Sequence, residues 1–335
     1  MAPRFAILGC LTVDSVITHD RRRYAGVAGG NVLYTALGAT VWADSVGIVS
    51  RAGADYPAGT LTAMAELGID TSGVTRLDGP HEFTVAFQYT EEGHRSRTVD
   101  PDVLASLPAA ERRYYYDSTS DETLRLAYAP DPSDIAAAWQ RKARGWHLAS
   151  LPRVKQRVLA LELRRSTPAG TALVADGVDA KDLGPSSTLA DFKYVSSLDA
   201  LLPSEADLTI PGLAEPFERM SAFHGLGVPT VVMKFGPRGS VVKTGEGSWH
   251  VPPVAVDATD PTGAGDAFCG GFLVGYTETG DGVEAAIFGT VAASFAVEHS
   301  GPRLTTPVSR AVAEARAEAV RQRVRRIGPD YACIR

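Results

Sequence analysis

The chain has 335 residues, 44% of them hydrophobic, which is enough apolar material for one large domain or two unequal lobes and excludes an intrinsically disordered protein. Its formal net charge of −6 offers no basic excess for binding nucleic acid, so a small-molecule partner is expected. Three scattered cysteines, Cys10, Cys269 and Cys333, are too few for a disulfide framework or a zinc site, which fits a reducing cytosol.

The apolar segments predict neither a signal peptide nor a membrane span. The run before Asp14 is too short for the core of a cleavable signal peptide, and it predicts a first β-strand. The late run VEAAIFGTVAASFAV falls short of the roughly 18 to 20 residues that span a bilayer, so it predicts a buried helix. A cytoplasmic location without a membrane partner follows.

Strand-like runs such as RFAILGC, VGIVS and TALVADG alternate with segments of helical pattern along most of the chain. This alternation predicts an α/β fold with a mostly parallel sheet. The segment EFTVAFQYTEEGHRSRTV behaves differently, because Phe83, Val85 and Phe87 alternate with other residues before a turn at Gly93, which predicts a hairpin. The pattern leaves open whether this hairpin is a flap beside the main domain or an extension of the sheet edge.

Several segments carry weaker signals. Residues 106–133 lack periodicity and predict a loop or insertion, whereas the stretch that begins at Thr306 and ends in arginines predicts an amphipathic terminal helix. His147, in an apolar run, is interpreted as a hydrogen-bonded core residue. Arg95 and Arg97 of the hairpin would reach a substrate if the flap closes, but they are interpreted as ordinary exposed strand residues.

The stretch DPTGAGDAFCGGFLVGY places glycines and carboxylates at the predicted start of a buried helix. Because the amides of Gly263, Ala264 and Gly265 lack intrahelical acceptors there, and glycine lets a ligand oxygen approach closely, the turn predicts an anion site. Asp266 lies in the first helical turn, where it either caps the helix or accepts the proton of a substrate hydroxyl during phosphoryl transfer. No Gly-Lys-Ser/Thr follows, so the turn is not a P-loop.

The segment DPTGAGDAFCGG resembles the C-terminal signature of the ribokinase-like carbohydrate kinases, also called the PfkB family. The resemblance implies a ribokinase-like three-layer α/β/α domain with a mostly parallel central sheet and a small β-hairpin lid. This domain would span residues 1–305, its lid would come from the 81–99 hairpin and neighbouring segments, and the helix of residues 306–335 would pack on the same domain.

The same resemblance implies ATP-dependent phosphorylation of a hydroxymethyl group of a sugar. The amides of Gly263, Ala264 and Gly265 would form the anion hole, and Asp266 would be the general base. In the N-terminal half, GCLTVD and AGGNVLYTALGATVW resemble the family's Gly-Gly signature, which implies an acceptor site lined by Asp14, Gly29, Gly30 and Asn31. A carboxylate at the end of a first strand also faces the usual ligand crevice of such sheets.

Two later segments resemble the nucleotide-binding parts of the family. VVMKFGPRGSVV is similar to its nucleotide loop, which implies that the nucleotide is held by Lys234, Gly236 and Gly239. FGTVAASFAVEHSGP occupies the place where members wrap the adenine and, in many, bind a monovalent cation such as K⁺. The candidate residues there are Ala293, Val297 and Gly301.

The metal-side positions depart from the family pattern. The usual Asn-x-x-Glu is replaced by Ser204 and Asp207 in LLPSEADL, so one carboxylate remains while the amide is lost. The resemblance implies ATP and Mg²⁺ as cofactors, with Asp207 and Asp260 as metal-side carboxylates. Mg²⁺ is commonly held through its own waters, so the change is either tolerated or weakens the metal response. Ser204 also suits a helix N-cap.

Two alternatives stay open. The first is a nucleoside kinase of the same family, which an apolar lid would favour. The second is a non-catalytic protein of the same fold that binds a sugar or nucleotide, which Ser204 alone supports and an intact Asp266 opposes. The sequence leaves open which sugar or nucleoside is the acceptor, and whether the hairpin forms the interface of a homodimer.

Overall fold

The computed structural model describes residues 2–17, 22–89, 95–177, 182, 184, 186–205, 210, 212–213 and 215–328. The strands in chain order are β1 Phe5–Leu8, β2 Thr12–Ile17, β3 Arg23–Gly29, β4 Val46–Ala52, β5 Ile69–Arg76, β6 Thr84–Tyr89, β7 Arg95–Ser96, β8 Gly145–Leu148, β9 Ala172–Asp176, β10 Ala200–Leu202, β11 Thr230–Lys234, β12 Ser240–Thr244, β13 Gly247–Val251 and β14 Arg325–Ile327. The helices are α1 Asn31–Thr40, α2 Ala58–Glu66, α3 Pro101–Ser106, α4 Ala109–Arg112, α5 Glu122–Tyr128, α6 Ala137–Lys142, α7 Arg153–Ser166, α8 Pro216–Gly225, α9 Ala264–Thr279, α10 Gly282–Val297 and α11 Arg310–Arg321.

A ten-stranded sheet in the order β14-β13-β12-β11-β10-β9-β8-β1-β4-β5 forms the centre of the molecule. Neighbouring strands from β11 to β5 all run parallel, whereas β12, β13 and β14 add antiparallel strands at one edge. Every residue of β1, β8, β9 and β11 is buried, as expected for parallel strands covered on both faces. The predicted α/β fold with a mostly parallel sheet is confirmed.

Helices cover both faces of this sheet and give three layers. On one face Val32 of α1, Phe272 of α9 and Ile287 of α10 belong to one buried apolar cluster. On the other face Leu159 of α7 and Met220 of α8 belong to a second cluster. The three-layer α/β/α arrangement predicted from the sequence is therefore confirmed.

A separate four-stranded sheet has the order β3-β2-β6-β7. Strands β6 and β7 are the predicted hairpin, in which Gln88 pairs with Ser96. Strands β2 and β3, which the sequence analysis did not assign to it, complete the sheet, and Ile17, Ala86 and Val99 form a small apolar core beneath it. Since its strands do not join the large sheet, the hairpin is a flap and not an edge extension.

Other segments differ in detail from their predicted structure. Residues 106–133 hold the short helices α4 and α5 as well as irregular turns. Helix α11 buries Ala313, Ala317 and Val320, and β14 follows it at the edge of the large sheet. The division into 1–305 and 306–335 stays a prediction. Cys10 and Cys269 are buried free thiols, and Cys333 lies outside the described residues.

Among the helices that the structure describes, none has both the length and the apolarity that a membrane crossing needs.

His81 joins the two sheets. The backbone N–H of Gly53, just after β4, donates to Nδ1 of His81 at 3.1 Å. Nε2 lies 3.1 Å from the carbonyl oxygen of Phe83, just before β6, and donates to it when Nδ1 is the acceptor. Burial lowers the pKa of His81 to about 4, outweighing the hydrogen bond to Phe83 and the charge of Asp55. The neutral imidazole therefore makes both contacts.

Helices α1 and α9 meet backbone to backbone. A Cβ atom on Gly270 would lie 1.9 Å from the carbonyl oxygen of Thr35, and one on Gly38 would lie 2.2 Å from that of Ala267. Any side chain at either position would push the helices apart. The contact holds the N-termini of α1 and α9 at the same edge of the sheet.

We expect the free energy of unfolding to fall as the pH drops from about 6.5 to about 4. The folded-state pKa of His81 is lowered, so the unfolded chain binds a proton first, and the stability present above pH 6.5 is lost towards pH 4. A lowering of this size corresponds to about 3 kcal/mol. His147, whose pKa burial lowers to about 3, acts in the same direction. Denaturant titrations across this range should show a flatter profile in His81→Gln but not in the control His224→Gln; identical profiles would contradict the assignment.

Replacing Gly270 by alanine should lower the free energy of unfolding by at least about 1–3 kcal/mol, because overpacking must separate two backbones. Gly59 of α2 is a matched control, since a Cβ there meets nothing within 4 Å. Gly59→Ala should leave stability unchanged or raise it by about 0.4–1 kcal/mol. Urea unfolding of both variants tests this, and equal stabilities would show that α1 and α9 are not in close contact.

Candidate active site

A cleft of about 620 Å³ lies between the large and small sheets. It is lined by the ends of β1, β8, β9 and β11, by β2 and β6 of the small sheet, and by the first turn of α9. The predicted site residues in its lining are Asp14, Gly30, Asn31, Ser204, Lys234, Gly263, Gly265 and Asp266. The other predicted site residues that the structure describes do not line this cleft; they are Gly29, Gly236, Gly239, Asp260, Ala264, Ala293, Val297 and Gly301.

Asp14 lies on β2 of the small sheet. The sequence analysis had placed it at the end of the first strand, but β1 ends at Leu8. The prediction that it ends the first strand is therefore wrong, although it does face the cleft. A Cβ on Gly29 of the paired strand would lie 2.0 Å from Oδ2 of Asp14, so glycine leaves the space for the carboxylate. The hydroxyl of Thr12 donates to Oδ1 at 2.6 Å and fixes its orientation.

Asn31 connects the ends of two parallel strands. Its Oδ1 accepts the Cys10 N–H after β1 at 2.8 Å, and its Nδ2 donates to the Ser150 carbonyl after β8 at 2.7 Å. Gly30 precedes it with a φ of 112°, and a Cβ there would lie 2.3 Å from the Cys10 carbonyl oxygen. The Gly-Gly-Asn segment thus begins α1 directly beneath the cleft.

Residues 263–266, here called the GAGD turn, form the N-terminus of α9. Gly263 is left-handed, with a φ of 75°, and the first helical turn contains Asp266. Before it, Oδ1 of Asp260 accepts the Thr262 amide at 2.9 Å, and the Val297 carbonyl accepts the Asp260 amide at 3.2 Å. The turn is therefore tied to the C-terminal end of α10, and its amides begin the helix at the cleft.

Tyr34 is a site residue that the sequence analysis missed. A Cβ on Gly263 would lie 2.2 Å from its ring, so the ring lies against the GAGD turn. Burial raises the pKa of the Tyr34 phenol, and the charges of Asp14, Asp260 and Asp266 raise it further. The Tyr34 phenol therefore lies in the electrostatic field of three carboxylates. The available signal was its spacing, since Tyr34 follows Asn31 by three residues and lies on the same face of α1.

Lys234 ends β11 at the base of the cleft and contacts Asp176 of β9, which the sequence analysis did not select. The following segment is the predicted strand, turn and strand. Gly236 and Gly239 have φ values of 56° and 86°, and the Phe235 amide donates to the Gly239 carbonyl at 2.8 Å. Ser204 lies beside this strand end in an isolated parallel bridge with Lys234.

Few candidate metal ligands lie together among the described residues. Asp207 lies outside the described residues. In the described ranges no group of three or more His, Cys, Asp or Glu side chains could hold a metal ion. Mg²⁺ is usually bound by one or two carboxylates together with waters and substrate phosphates. Asp260, whose Oδ1 accepts the Thr262 amide, stays a predicted metal-side carboxylate.

The lid side of the cleft carries further residues. Arg97, predicted to be an ordinary surface residue, lines the cleft and donates to Oγ1 of Thr119 at 2.8 Å and to Asp117 at 3.3 Å. Arg125, also in the lining, donates to Asp182 at 2.7 Å. Arg97 follows β7 of the hairpin and Arg125 lies on α5, within the segment without periodicity, so their meeting at the cleft depends on the tertiary fold and not on local pattern.

Comparison with known proteins gives consistent results. Residues 181–309 match the model of the pfkB family of carbohydrate kinases. The chain is 26% identical over 280 residues to a cytidine kinase of Thermococcus kodakarensis, covering 81% of this chain and 87% of that protein. It is 32% identical over 129 residues to a ribokinase of Haemophilus influenzae, covering 37% of this chain and 42% of that protein.

Solved structures share the fold. A putative ribokinase II from E. coli, in complex with ATP and Mg²⁺, has a TM-score of 0.70 at 18% identity and covers 95% of this chain and 100% of that one. A ribokinase from Thermotoga maritima has a TM-score of 0.65 at 20% identity, over 94% and 99% of the two chains. These matches, together with the GAGD turn and the lid in one cleft, confirm the predicted resemblance to the ribokinase-like pfkB family of carbohydrate kinases.

Proposed function

We propose that this protein transfers the γ-phosphoryl group of ATP to a hydroxymethyl group of a sugar. The reaction class, ATP-dependent phosphotransfer to an alcohol, is that of the family. The observation that carries the proposal is the convergence of Asp14, the GAGD turn and Asp266 on one cleft. A carboxylate, an anion site and a second carboxylate are the groups that such a transfer needs.

Each group has a distinct part in this proposal. Asp14 accepts hydrogen bonds from sugar hydroxyls, and Asp266 takes the proton of the attacking hydroxyl. The amides of Gly263 and Gly265 donate to the transferred group, because helix N-terminal amides are aimed at anions without reorganisation. The Ala264 amide, predicted to join them, already donates to the Pro261 carbonyl at 3.2 Å. Asn31 contributes by holding two strand ends in place, since both ends of its amide already contact the backbone.

The nucleotide would extend from the GAGD turn towards Lys234 and the Gly236 to Gly239 turn. Ala293, Val297 and Gly301 would lie at its adenine end, where the Val297 carbonyl is already occupied by two amides. Mg²⁺ supplies neutralisation of phosphate charge when it is bound with ATP, and Asp260 and Asp207 are the residues that would hold it. A K⁺ site and a homodimer stay predictions.

A nucleoside kinase is the second candidate. The cytidine kinase match extends over most of both chains, and Phe83 and Val85 of the lid side present apolar surface to the cleft. A nucleoside carries its base on the sugar, and apolar side chains stack favourably against such a ring. An acceptor panel of pentoses, hexoses, ketohexoses and nucleosides separates the two candidates.

Replacing Asp266 by asparagine should cut turnover by about 10² to 10⁴-fold while preserving ATP binding, because the base is lost and the geometry is kept. The measurement is ADP release with Mg-ATP across the acceptor panel. Asp281 is a matched control, since it caps α10 through the amides of Val283 and Glu284 away from the cleft. Asp281→Asn should keep full turnover. Full turnover in Asp266→Asn would exclude Asp266 as the general base and leave it the role of a helix cap.

Replacing Asp14 by asparagine should raise the KM of the acceptor by about 10- to 100-fold with little change in the KM of ATP. The expected loss is that of a charge-assisted hydrogen bond to a neutral hydroxyl. Thr12→Val removes only the hydroxyl that orients this carboxylate and should give a smaller effect in the same direction. Equal increases in both KM values would rule out a specific acceptor role.

A further inference from the structure

A buried ion pair lies at the base of the cleft. Nζ of Lys234, at the end of β11, donates to Oδ1 of Asp176, at the end of β9, at 2.8 Å. Each residue is 8% exposed, and both line the cleft. A pair of charges removed from water costs several kcal/mol per ion before their attraction is counted, so its presence at this point needs a reason.

The ammonium is held against the first turn of α9. Nζ also donates to Sγ of Cys269 at 3.3 Å, and a Cβ built on Gly265 would lie 3.6 Å from it. Gly265 and Cys269 are one turn apart on that helix. A cation is electrostatically disfavoured at a helix N-terminus, because the dipole is positive there. An arriving anion would reverse this penalty, since it would be attracted by the helix and by the lysine together.

The lysine keeps its charge in this environment. Burial by itself lowers the pKa of Lys234, but the charge of Asp176, with contributions from Cys269 and Asp266, raises it above its ordinary value. His147 of β8 also lies near Lys234 and is fully buried; burial and that lysine lower its pKa to about 3, so it adds no charge at neutral pH. Contrary to the sequence prediction, neither ring nitrogen of His147 has a hydrogen-bond partner among the described residues.

An ammonium group carries three donors. In the part of the chain that the structure describes, Asp176 and Cys269 occupy two of them. Nζ lies 3.6 Å from the position of a Cβ built on Gly265, so the side of the cleft that Gly265 lines is where a third partner would approach it. A phosphoryl oxygen held by the amides of the GAGD turn would lie within reach of it.

We propose that Asp176 is the positioning residue that holds the Lys234 ammonium beneath the GAGD turn, where that ammonium contacts the terminal phosphoryl group of the nucleotide. The inference rests on the proposed function and moves Lys234 from the nucleotide loop to the reacting group. Lys234 then discriminates ATP from ADP, because the contact exists only when the terminal group is present. Asp176 acts through Lys234 and does not itself contact the nucleotide.

The experiment compares ATP and ADP binding by calorimetry in wild-type protein and in a paired variant, Lys234→Met with Asp176→Asn. The paired variant leaves no buried charge without a partner, so it avoids the large cost of a single deletion. We expect its ATP affinity to fall by about 10- to 100-fold, the loss of one charge-assisted hydrogen bond, with a much smaller change for ADP. The control Cys269→Ala removes the thiol at the same ammonium and should keep the wild-type ratio of affinities.

The single variant Asp176→Asn adds a readout that a purely structural role would not move. Without its counter-charge, the titratable groups that Lys234 faces among the described residues are Cys269 and Asp266 of α9 and His147 of β8, so burial should lower its pKa. The preference of this variant for ATP over ADP should therefore decline as the pH rises, while the wild type keeps it. A preference that stays independent of pH would count against the positioning role.

An unchanged ratio of ATP to ADP affinity in the paired variant would overturn this assignment alone. Wild-type protein that binds neither nucleotide would overturn the proposed function, and the assignment with it. The two failures are distinguishable, because the first requires nucleotide binding by the wild type. Neither result depends on knowing the acceptor, and the paired variant decides the question even if Asp176→Asn alone does not fold.

Discussion

The contact between α1 and α9 is the constraint on which the cleft depends. Two glycines, Gly38 and Gly270, let each backbone touch the other without an intervening side chain. Because packed interiors deform little, this close approach fixes where both helices begin. Their N-termini carry the Gly-Gly-Asn segment and the GAGD turn, so the acceptor side and the anion side of the cleft are set by one packing interaction. Tyr34 fills the remaining space between them, with its ring against Gly263.

The lid is the second determinant of the site, because it supplies Asp14 on β2. The proposed acceptor carboxylate therefore belongs to the small sheet, whereas the proposed base, Asp266, belongs to the main domain. Any movement of one sheet against the other changes the distance between these two carboxylates. His81 contacts the backbone just after β4 of the large sheet and just before β6 of the small sheet. Because its ring is neutral at neutral pH, it keeps both contacts there and limits that movement. If Asp14 binds the acceptor as proposed, acceptor binding and the position of the small sheet depend on the same short strand.

Local patterns revealed the parts of the molecule that local interactions determine. The alternation of strand and helix lengths indicated the α/β fold, and the GAGD glycines indicated a helix N-terminus, because both follow from neighbours in the chain. The pairing of Lys234 with Asp176 joins residues 58 positions apart and depends on the order of β9, β10 and β11 in the sheet. Asp14 was misplaced for a related reason, since nothing in GCLTVD marks the point where the chain leaves the large sheet for the small one.

The ion pair under the GAGD turn is better explained by function than by stability. Two apolar side chains of similar volume would fill the same space without the desolvation cost, and the helix dipole opposes a cation at this end of α9. Asp176 offsets both penalties by keeping the ammonium charged, but it uses only part of the hydrogen-bonding capacity of Lys234. The arrangement therefore keeps a fixed positive charge facing the cleft in the absence of any ligand. A preorganised charge of this kind needs no rearrangement when negative charge develops beside it, which is the condition under which electrostatic stabilisation of a transition state is strongest.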